Sequence, residues 1–187
     1  MPELTAVYLD FQDRGSYRVW RWLSLLPERH TVEVRPFWSS VTRDEPNPWE
    51  RTSPSWSLEL LALAEMARES GRERHEGFVD AAFAAVYDSG ADLSGFQGWL
   101  EIGAEVGLDL DEYTKDSDRW RAEVGLWHSE ARDDLDVTRV PSLVFDDDRV
   151  LFVKLDHEVE DEAAARRLLA DLADLAAQPV GEVRRPG

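Results

Sequence analysis

The sequence predicts an α/β fold in which a β-α-β unit and a β-β-α unit flank a long helical block. Three observations predict it: apolar strands with a helix between them open the chain, amphipathic helices fill the middle, and two strands and a helix close it. The 187 residues suit one domain with an insertion, and a hydrophobic content of 43% is enough for a substantial core.

The first unit is a strand, a tight turn, a helix and a second strand. Residues 6–11 form an apolar run that predicts a buried strand, and residues 16–26 predict a helix that ends before Pro27. The apolar residues of this helix recur at helical spacing: Val19, Trp22, Leu23 and Leu26. Residues 31–35 alternate as a second strand. Two strands joined by a helix in this way pair in parallel with a right-handed crossover.

The middle of the chain is predicted to be helical in five segments: residues 58–69, 73–88, 94–106, a short helix after Asp109, and 120–135. Ser94 is predicted to cap the third of these helices. Asp109 and Glu112 have the spacing of a capping box at the start of the fourth.

The closing unit consists of two strands, at residues 142–146 and 150–155, and a helix over residues 161–177. The acidic stretch 146–149 predicts a hairpin turn between the strands. Four residues of the helix are predicted to face inward: Ala164, Leu168, Leu172 and Leu175.

This order of elements is that of a thioredoxin fold with an inserted all-helical subdomain. We predict a thioredoxin core at residues 5–38 and 137–177, the helical subdomain at residues 53–136, and a flexible tail at residues 178–187.

Composition excludes several classes of function. The net charge of −18 disfavours binding to nucleic acid or to an anionic membrane, since both partners attract basic surfaces. No signal peptide and no apolar run of about 18 residues is visible, which predicts a cytoplasmic protein. The chain has no cysteine, so a thiol nucleophile and a disulfide are excluded. The histidines lack metal-pair spacing, so no metal site is predicted.

Four stretches resemble the DsbA-like thioredoxin-fold family, which includes FrnE-type proteins, 2-hydroxychromene-2-carboxylate isomerases and kappa-class glutathione transferases. They are YLDFQDRGSYRVWRWL, VEVRPFW, FVDAAFAAVYDSGADLSGFQGWLEIGAEVGLD and TRVPSLVF. The resemblance places the Cys-x-x-Cys of that family on residues 13–16, with Asp13 and Ser16 at the two cysteine positions. Neither residue can form a mixed disulfide, so this chain alone cannot perform thiol–disulfide exchange.

The same resemblance indicates candidate site residues. Asp13 and Ser16 are the candidate catalytic residues, although each could instead cap the following helix. Residues expected to contact a ligand are Arg14, Gly15, Tyr17, Trp38, Val140 and Pro141. Pro141 is expected to follow a cis peptide bond and to face the turn, and the backbone of Val140 is expected to bind an extended thiol or peptide.

Three functions remain open from the sequence. The first is binding of a small organic molecule, aromatic or thiol-containing, in the groove between the 13–16 turn and the proline loop, with isomerase- or transferase-type acid/base chemistry. The resemblance implies glutathione or mycothiol as the cofactor if one is used. The second is a non-catalytic peptide-binding chaperone, and the third a regulatory pseudoenzyme. The sequence leaves both catalysis and the choice between monomer and homodimer undecided.

Overall fold

The computed structural model describes residues 2–41, 47–50 and 55–178, which form four strands and six α-helices. The strands are β1 (Leu4–Leu9), β2 (Glu33–Pro36), β3 (Ser142–Phe145) and β4 (Arg149–Phe152). The helices are α1 (Arg14–Leu23), α2 (Trp56–Glu69), α3 (Arg72–Ala84), α4 (Phe96–Glu105), α5 (Leu110–Asp133) and α6 (Glu162–Ala176). Among the described helices, none has both the length and the apolar character of a membrane span.

The strands form one mixed sheet in the order β2-β1-β3-β4. β1 and β2 are parallel, with Tyr8 opposite Arg35. β3 is antiparallel to both β1 and β4. A β-α-β half and a β-β-α half therefore share one sheet, which confirms the predicted thioredoxin fold with a helical insertion.

Burial explains why α1 lies where it does. The predicted apolar stripe of this helix is confirmed, because Val19, Trp22 and Leu23 are 0–1% exposed. The indole Nε1 of Trp22 donates to the backbone oxygen of Ala165 at 3.2 Å, which fixes α1 against α6. One face of the sheet carries a buried cluster made of Ala6, Tyr8, Phe37, Ala131, Val137, Val140 and Val144.

Every element of the first unit differs from the prediction by a few residues at its ends; β2, for example, begins at Glu33 and not at residue 31. Local hydrogen bonds explain two of these differences. β1 ends before Asp10, since the carboxylate of Asp10 accepts the backbone N–H of Gln12 at 3.1 Å and so forms a side-chain turn. α1 begins at Arg14, two residues earlier than predicted, because Asp13 is its N-cap.

In the helical insertion, the predicted N-cap of one helix is wrong, and two predicted helices form one kinked helix. α4 begins at Phe96, so Ser94 is not its cap; the N–H of Ser94 instead donates to Asp92 at 2.9 Å. The two helices predicted after Asp109 are one continuous element, α5, with a non-helical residue at Asp116.

The inward face of α6 was predicted wrongly by one position. Its most buried residues are Ala165, Ala173 and Ala176, whereas Ala164, Leu168, Leu172 and Leu175 are half-buried. Alanine has no long side chain, so it can lie directly against neighbouring backbone, while the leucines flank that line of contact.

Two compact units divide the described residues. The thioredoxin-core unit is the described part of Met1–Leu9, Asp13–Phe37 and Glu130–Gly187. The helical unit is the described part of Asp10–Gln12 and Trp38–Ser129. The predicted tail lies outside the described residues except for Gln178.

Candidate ligand-binding site

The turn at residues 13–16 is held by the side chain of Asp13. Its Oδ2 accepts the backbone N–H of Ser16 at 2.5 Å and the hydroxyl of Ser16 at 2.8 Å. Both bonds use one carboxylate oxygen, and Oδ1 of Asp13 has no hydrogen-bond partner among the described residues. Asp13 therefore caps α1 and keeps one oxygen for another contact.

Ser16 is placed as a structural residue. It is fully buried, at 0% exposure, and its hydroxyl donates to the Asp13 carboxylate. A nucleophilic serine needs access to substrate and a base that takes its proton. The geometry at Ser16 supports helix capping and does not support attack on a substrate.

The turn lies directly against the proline loop. The Val140–Pro141 peptide bond is cis, as the resemblance implied. A Cβ added to Gly15 would lie 3.0 Å from Cδ of Pro141 and 2.9 Å from Oδ2 of Asp13. Only a residue without a side chain fits at position 15 without displacing a neighbour, so Gly15 permits this close approach.

The backbone of Val140 has no hydrogen-bond partner among the described residues, whereas the backbone oxygens of its two neighbours are paired. On one side of it, the backbone oxygen of Arg139 accepts the hydroxyl of Ser142 at 2.7 Å. On the other, the backbone oxygen of Pro141 accepts the N–H of Val153 at 3.1 Å. Within the described residues, the N–H and C=O of Val140 itself bond to no protein group, although Val140 is only 8% exposed. Polar backbone groups at such positions are normally paired, so an additional partner is expected here.

Arg14 and Tyr17 border the turn differently. Arg14 is exposed in the first turn of α1, and its guanidinium has no ion-pair or hydrogen-bond partner in the described part of the chain. Tyr17 is 8% exposed, so only an edge of it can reach a ligand. Arg14 is thus the accessible charged side chain of the predicted set.

Trp38 was expected to contact a ligand, but the structure buries its side chain completely. It belongs to the helical unit, is 0% exposed, and its Nε1 donates to the hydroxyl of Ser57 at 3.0 Å. Its ring lies 6.3 Å from that of Trp49, centroid to centroid. Trp38 packs in a core and has no exposed surface, so we leave it out of the candidate site.

Sequence reasoning missed Asp10, which is fully buried in the helical unit. Its carboxylate accepts four hydrogen bonds, from the N–H and hydroxyl of Ser39 at 2.8 and 2.6 Å and from the N–H and Nε2 of Gln12 at 3.1 and 2.9 Å. Burial raises the pKa of Asp10, while these hydrogen bonds lower it, and the net direction is upward. The sequence did carry a signal for Asp10: this residue directly follows a buried strand, and the polar residues Ser39 and Ser40 follow the next strand.

The chemistry available at the turn and the proline loop is limited. The chain has no thiol, and no group of three metal-ligating side chains occurs among the residues that the structure describes. What remains is one carboxylate oxygen of Asp13, the guanidinium of Arg14 and the backbone of Val140. These groups can bind a polar, extended ligand.

No protein-family model and no curated protein matches the sequence. Solved structures match in fold. A cysteine-to-serine variant of Proteus mirabilis DsbA with a non-covalently bound peptide, PWATCDS, is 12% identical with a TM-score of 0.60, over 95% of this chain and 90% of that one. Salmonella enterica serovar Typhimurium SrgA is 14% identical with a TM-score of 0.60, over 95% and 96%. The cytosolic disulfide reductase DsbM from Pseudomonas aeruginosa, solved with GSH, is 17% identical with a TM-score of 0.57, over 89% and 98%. The chain therefore has the DsbA-like thioredoxin fold.

Proposed function

We propose that the protein is a redox-inactive binding protein on a DsbA-like scaffold. Its ligand is peptide-like and extended, and glutathione is the smallest example. The observation that carries the proposal is that the N–H and C=O of Val140 bond to no group in the described part of the chain, next to the turn that bears Asp13 and Arg14. An extended ligand pairs with such groups in the way that a strand joins a sheet edge.

The redox-inactive part of the proposal follows from covalent chemistry. Thiol–disulfide exchange needs one thiolate that attacks and a second thiol that resolves the mixed disulfide. The chain has no cysteine, and the two positions of the family dithiol hold Asp13 and Ser16. Neither side chain can form a bond to sulfur in this reaction.

Binding is favoured over catalysis by the hydrogen bonds of the turn. Oδ2 of Asp13 and the hydroxyl of Ser16 are committed to the helix cap. A carboxylate at position 13 would also repel the thiolate of a bound glutathione, so a transferase mechanism that activates this thiol is disfavoured. For isomerase-type proton transfer, the candidate base at the turn is Oδ1 of Asp13. No described residue forms a hydrogen bond with this oxygen.

Two of the matched structures support the choice of ligand. The Proteus mirabilis DsbA structure holds a peptide, and the DsbM structure was determined with glutathione. In this chain, Arg14 lies in the first turn of α1, where a guanidinium and helix N–H groups favour a ligand carboxylate.

The test is a thermal-shift and calorimetric panel on the full chain. It contains glutathione, S-methylglutathione, mycothiol, a capped pentapeptide and small aromatic acids. A ligand at about 100 times its Kd adds about 2.7 kcal/mol to the free energy of unfolding. At roughly 2–4 °C per kcal/mol for a chain of this size, Tm should rise by about 5–10 °C.

A matched pair of variants locates the binding. Arg14→Ala should weaken binding of glutathione and S-methylglutathione equally, because the carboxylate and not the thiol is recognised. Arg21→Ala changes the same charge in the last turn of the same helix and should leave binding unaltered. Shifts with aromatic acids alone would reject the peptide-like ligand, and silence with every compound would reject binding at this site.

A further inference from the structure

The turn between β1 and α1 is fixed at each of its three residues. Phe11 is 3% exposed and packs against Phe83, with the two ring centroids 5.0 Å apart. Asp10 is fully buried, and Gln12 donates to it through both its backbone N–H and its side-chain amide. The next residue in the chain is Asp13, so the contacts that fix this turn also fix the position at which the cap of α1 begins.

The carboxylate of Asp10 joins this turn to the segment that follows β2. Its Oδ2 accepts the N–H and the hydroxyl of Ser39 at 2.8 and 2.6 Å, and Nε2 of Gln12 at 2.9 Å. Its Oδ1 accepts the N–H of Gln12 at 3.1 Å. Nε2 of Gln12 also lies 3.0 Å from the hydroxyl oxygen of Ser39 and 2.7 Å from that of Ser40. Two chain segments therefore meet in one hydrogen-bond network, with the Asp10 carboxylate as its shared acceptor.

This network fits an ionised carboxylate better than a protonated one. An ionised carboxylate only accepts hydrogen bonds, whereas a protonated carboxyl carries an O–H that has to donate. Two of the four donors to Asp10 are backbone N–H groups, which cannot turn into acceptors. Hydrogen bonds to an ionised acceptor are also stronger than bonds between neutral groups. A proton on Asp10 would therefore weaken the bonds from Gln12 and Ser39.

Burial and hydrogen bonding act on Asp10 in opposite directions. Burial raises the pKa of this carboxyl above its ordinary value, and the bonds from Ser39 and Gln12 lower the pKa without cancelling the rise. The groups that face the carboxylate from the turn after β1 and from the segment after β2 belong to Gln12 and Ser39, which do not titrate. Ser39 is exposed, so a proton can reach this network from solvent.

We propose that Asp10 is a positioning residue for the candidate ligand site, an inference that rests on the proposed function. Its ionised form fixes Gln12, and through the chain Asp13, in the arrangement that binds the ligand. Uptake of a proton by Asp10 loosens the turn and lowers the affinity for the ligand. Asp10 is fully buried, so it acts through the turn and not by contact with the ligand.

The experiment measures ligand affinity and the ionisation of Asp10 over the same range of pH. The ligand is the capped pentapeptide made of alanine, which has no ionisable group, titrated into the full chain by calorimetry. The ionisation of Asp10 is followed in the free protein by the ¹³C shift of its carboxyl carbon. At one pH unit below the midpoint about one tenth of Asp10 is ionised, so the Kd should be about tenfold higher. Affinity should begin to fall at the midpoint that the carboxyl carbon reports.

Three variants assign this pH dependence to Asp10. Ser39→Ala removes a hydrogen bond that favours the ionised form, so the carboxyl midpoint and the affinity midpoint should rise together. Asp10→Asn should bind at pH 7 as weakly as the protonated protein and should lose the pH dependence. Asp92→Asn is the matched control, because Asp92 accepts the N–H of Ser94, two residues on, in an equivalent turn at an exposed position. It should preserve both the affinity and its pH profile.

The outcomes separate this role of Asp10 from the proposed function. Affinity that stays constant across the Asp10 midpoint, or that does not follow this midpoint in Ser39→Ala, overturns the positioning role and leaves peptide binding intact. Both measurements use proteins that keep Asp10, so they stand even if Asp10→Asn fails to fold. If no peptide binds, the amides of Asp13 and Ser16 are followed in the free ¹⁵N-labelled protein. Shifts at the Asp10 midpoint that move with it in Ser39→Ala would support control of the turn by Asp10 and reject only the binding function, whereas amides that do not titrate there would reject both.

Discussion

Replacing Asp13 by alanine should destabilise the protein by removing two hydrogen bonds that share one oxygen. Loss of an N-cap costs about 0.5–2 kcal/mol, and a hydrogen bond to a charged group contributes about 1.5–3 kcal/mol. Because both bonds meet at Oδ2, their losses overlap, and we expect about 2–3 kcal/mol for Asp13→Ala. At roughly 2–4 °C per kcal/mol, Tm should fall by about 4–12 °C.

The assay is a double-mutant cycle read by urea unfolding. Asp13→Ala, Ser16→Ala and the double variant should give a coupling energy of about 1–2 kcal/mol for the side-chain bond. Asp161→Ala is the matched control, since Asp161 caps α6 through a backbone N–H at 2.7 Å and without a serine hydroxyl. It should cost about 1 kcal/mol. An unchanged Tm in Asp13→Ala, with no coupling to Ser16, would refute the capping geometry. The carboxylate of Asp13 would then be available for a catalytic role.

Three further predictions concern the core and the turn. Burial, with help from nearby arginines, lowers the pKa of His75 from 6.5 to about 3. The unfolded chain therefore takes up a proton first as pH falls below 6.5, and this group's share of stability is lost at up to about 1.4 kcal/mol per pH unit. His75→Gln should remove this loss of stability from urea unfolding curves measured between pH 7 and pH 4. His157→Gln, at an exposed position, should leave the loss unchanged. Parallel pH profiles for the wild type and both variants would contradict the prediction. Gly15→Ala would place a Cβ 3.0 Å from the ring of Pro141. The free energy of unfolding, measured in urea, should fall by about 1 kcal/mol, because this crowding outweighs the gain in helix propensity. An increase in stability would contradict the close approach of the turn to Pro141. Asp13→Cys with Ser16→Cys should create insulin reductase activity, and a folded but inert double variant would disprove the assignment of the dithiol positions.

The fold was predictable because its signals are local and repeated. The stripe of Val19, Trp22 and Leu23 fixes the buried face of α1 from spacing alone. The two halves of the sheet follow from the order of strands and helices, and the right-handed crossover restricts their connection. These patterns depend on residues that are close together in the chain, so they can be recognised without knowledge of tertiary contacts.

The candidate site was predictable only in part, because much of it depends on contacts distant in sequence. Asp13 and Ser16 could be named, but a single sequence does not show that both bonds meet on one oxygen. The burial of Trp38 depends on Ser57 and Trp49, which lie in other segments.

The most direct test of the central claim is an NMR titration that follows the backbone amide of Val140. ¹⁵N-labelled protein is titrated with glutathione and with the capped pentapeptide. If the unpaired N–H of Val140 pairs with the ligand, its resonance should show one of the largest shifts, and its hydrogen exchange should slow on binding. Saturable binding that leaves the Val140 amide unperturbed would contradict the account, and so would the absence of binding by any of these ligands.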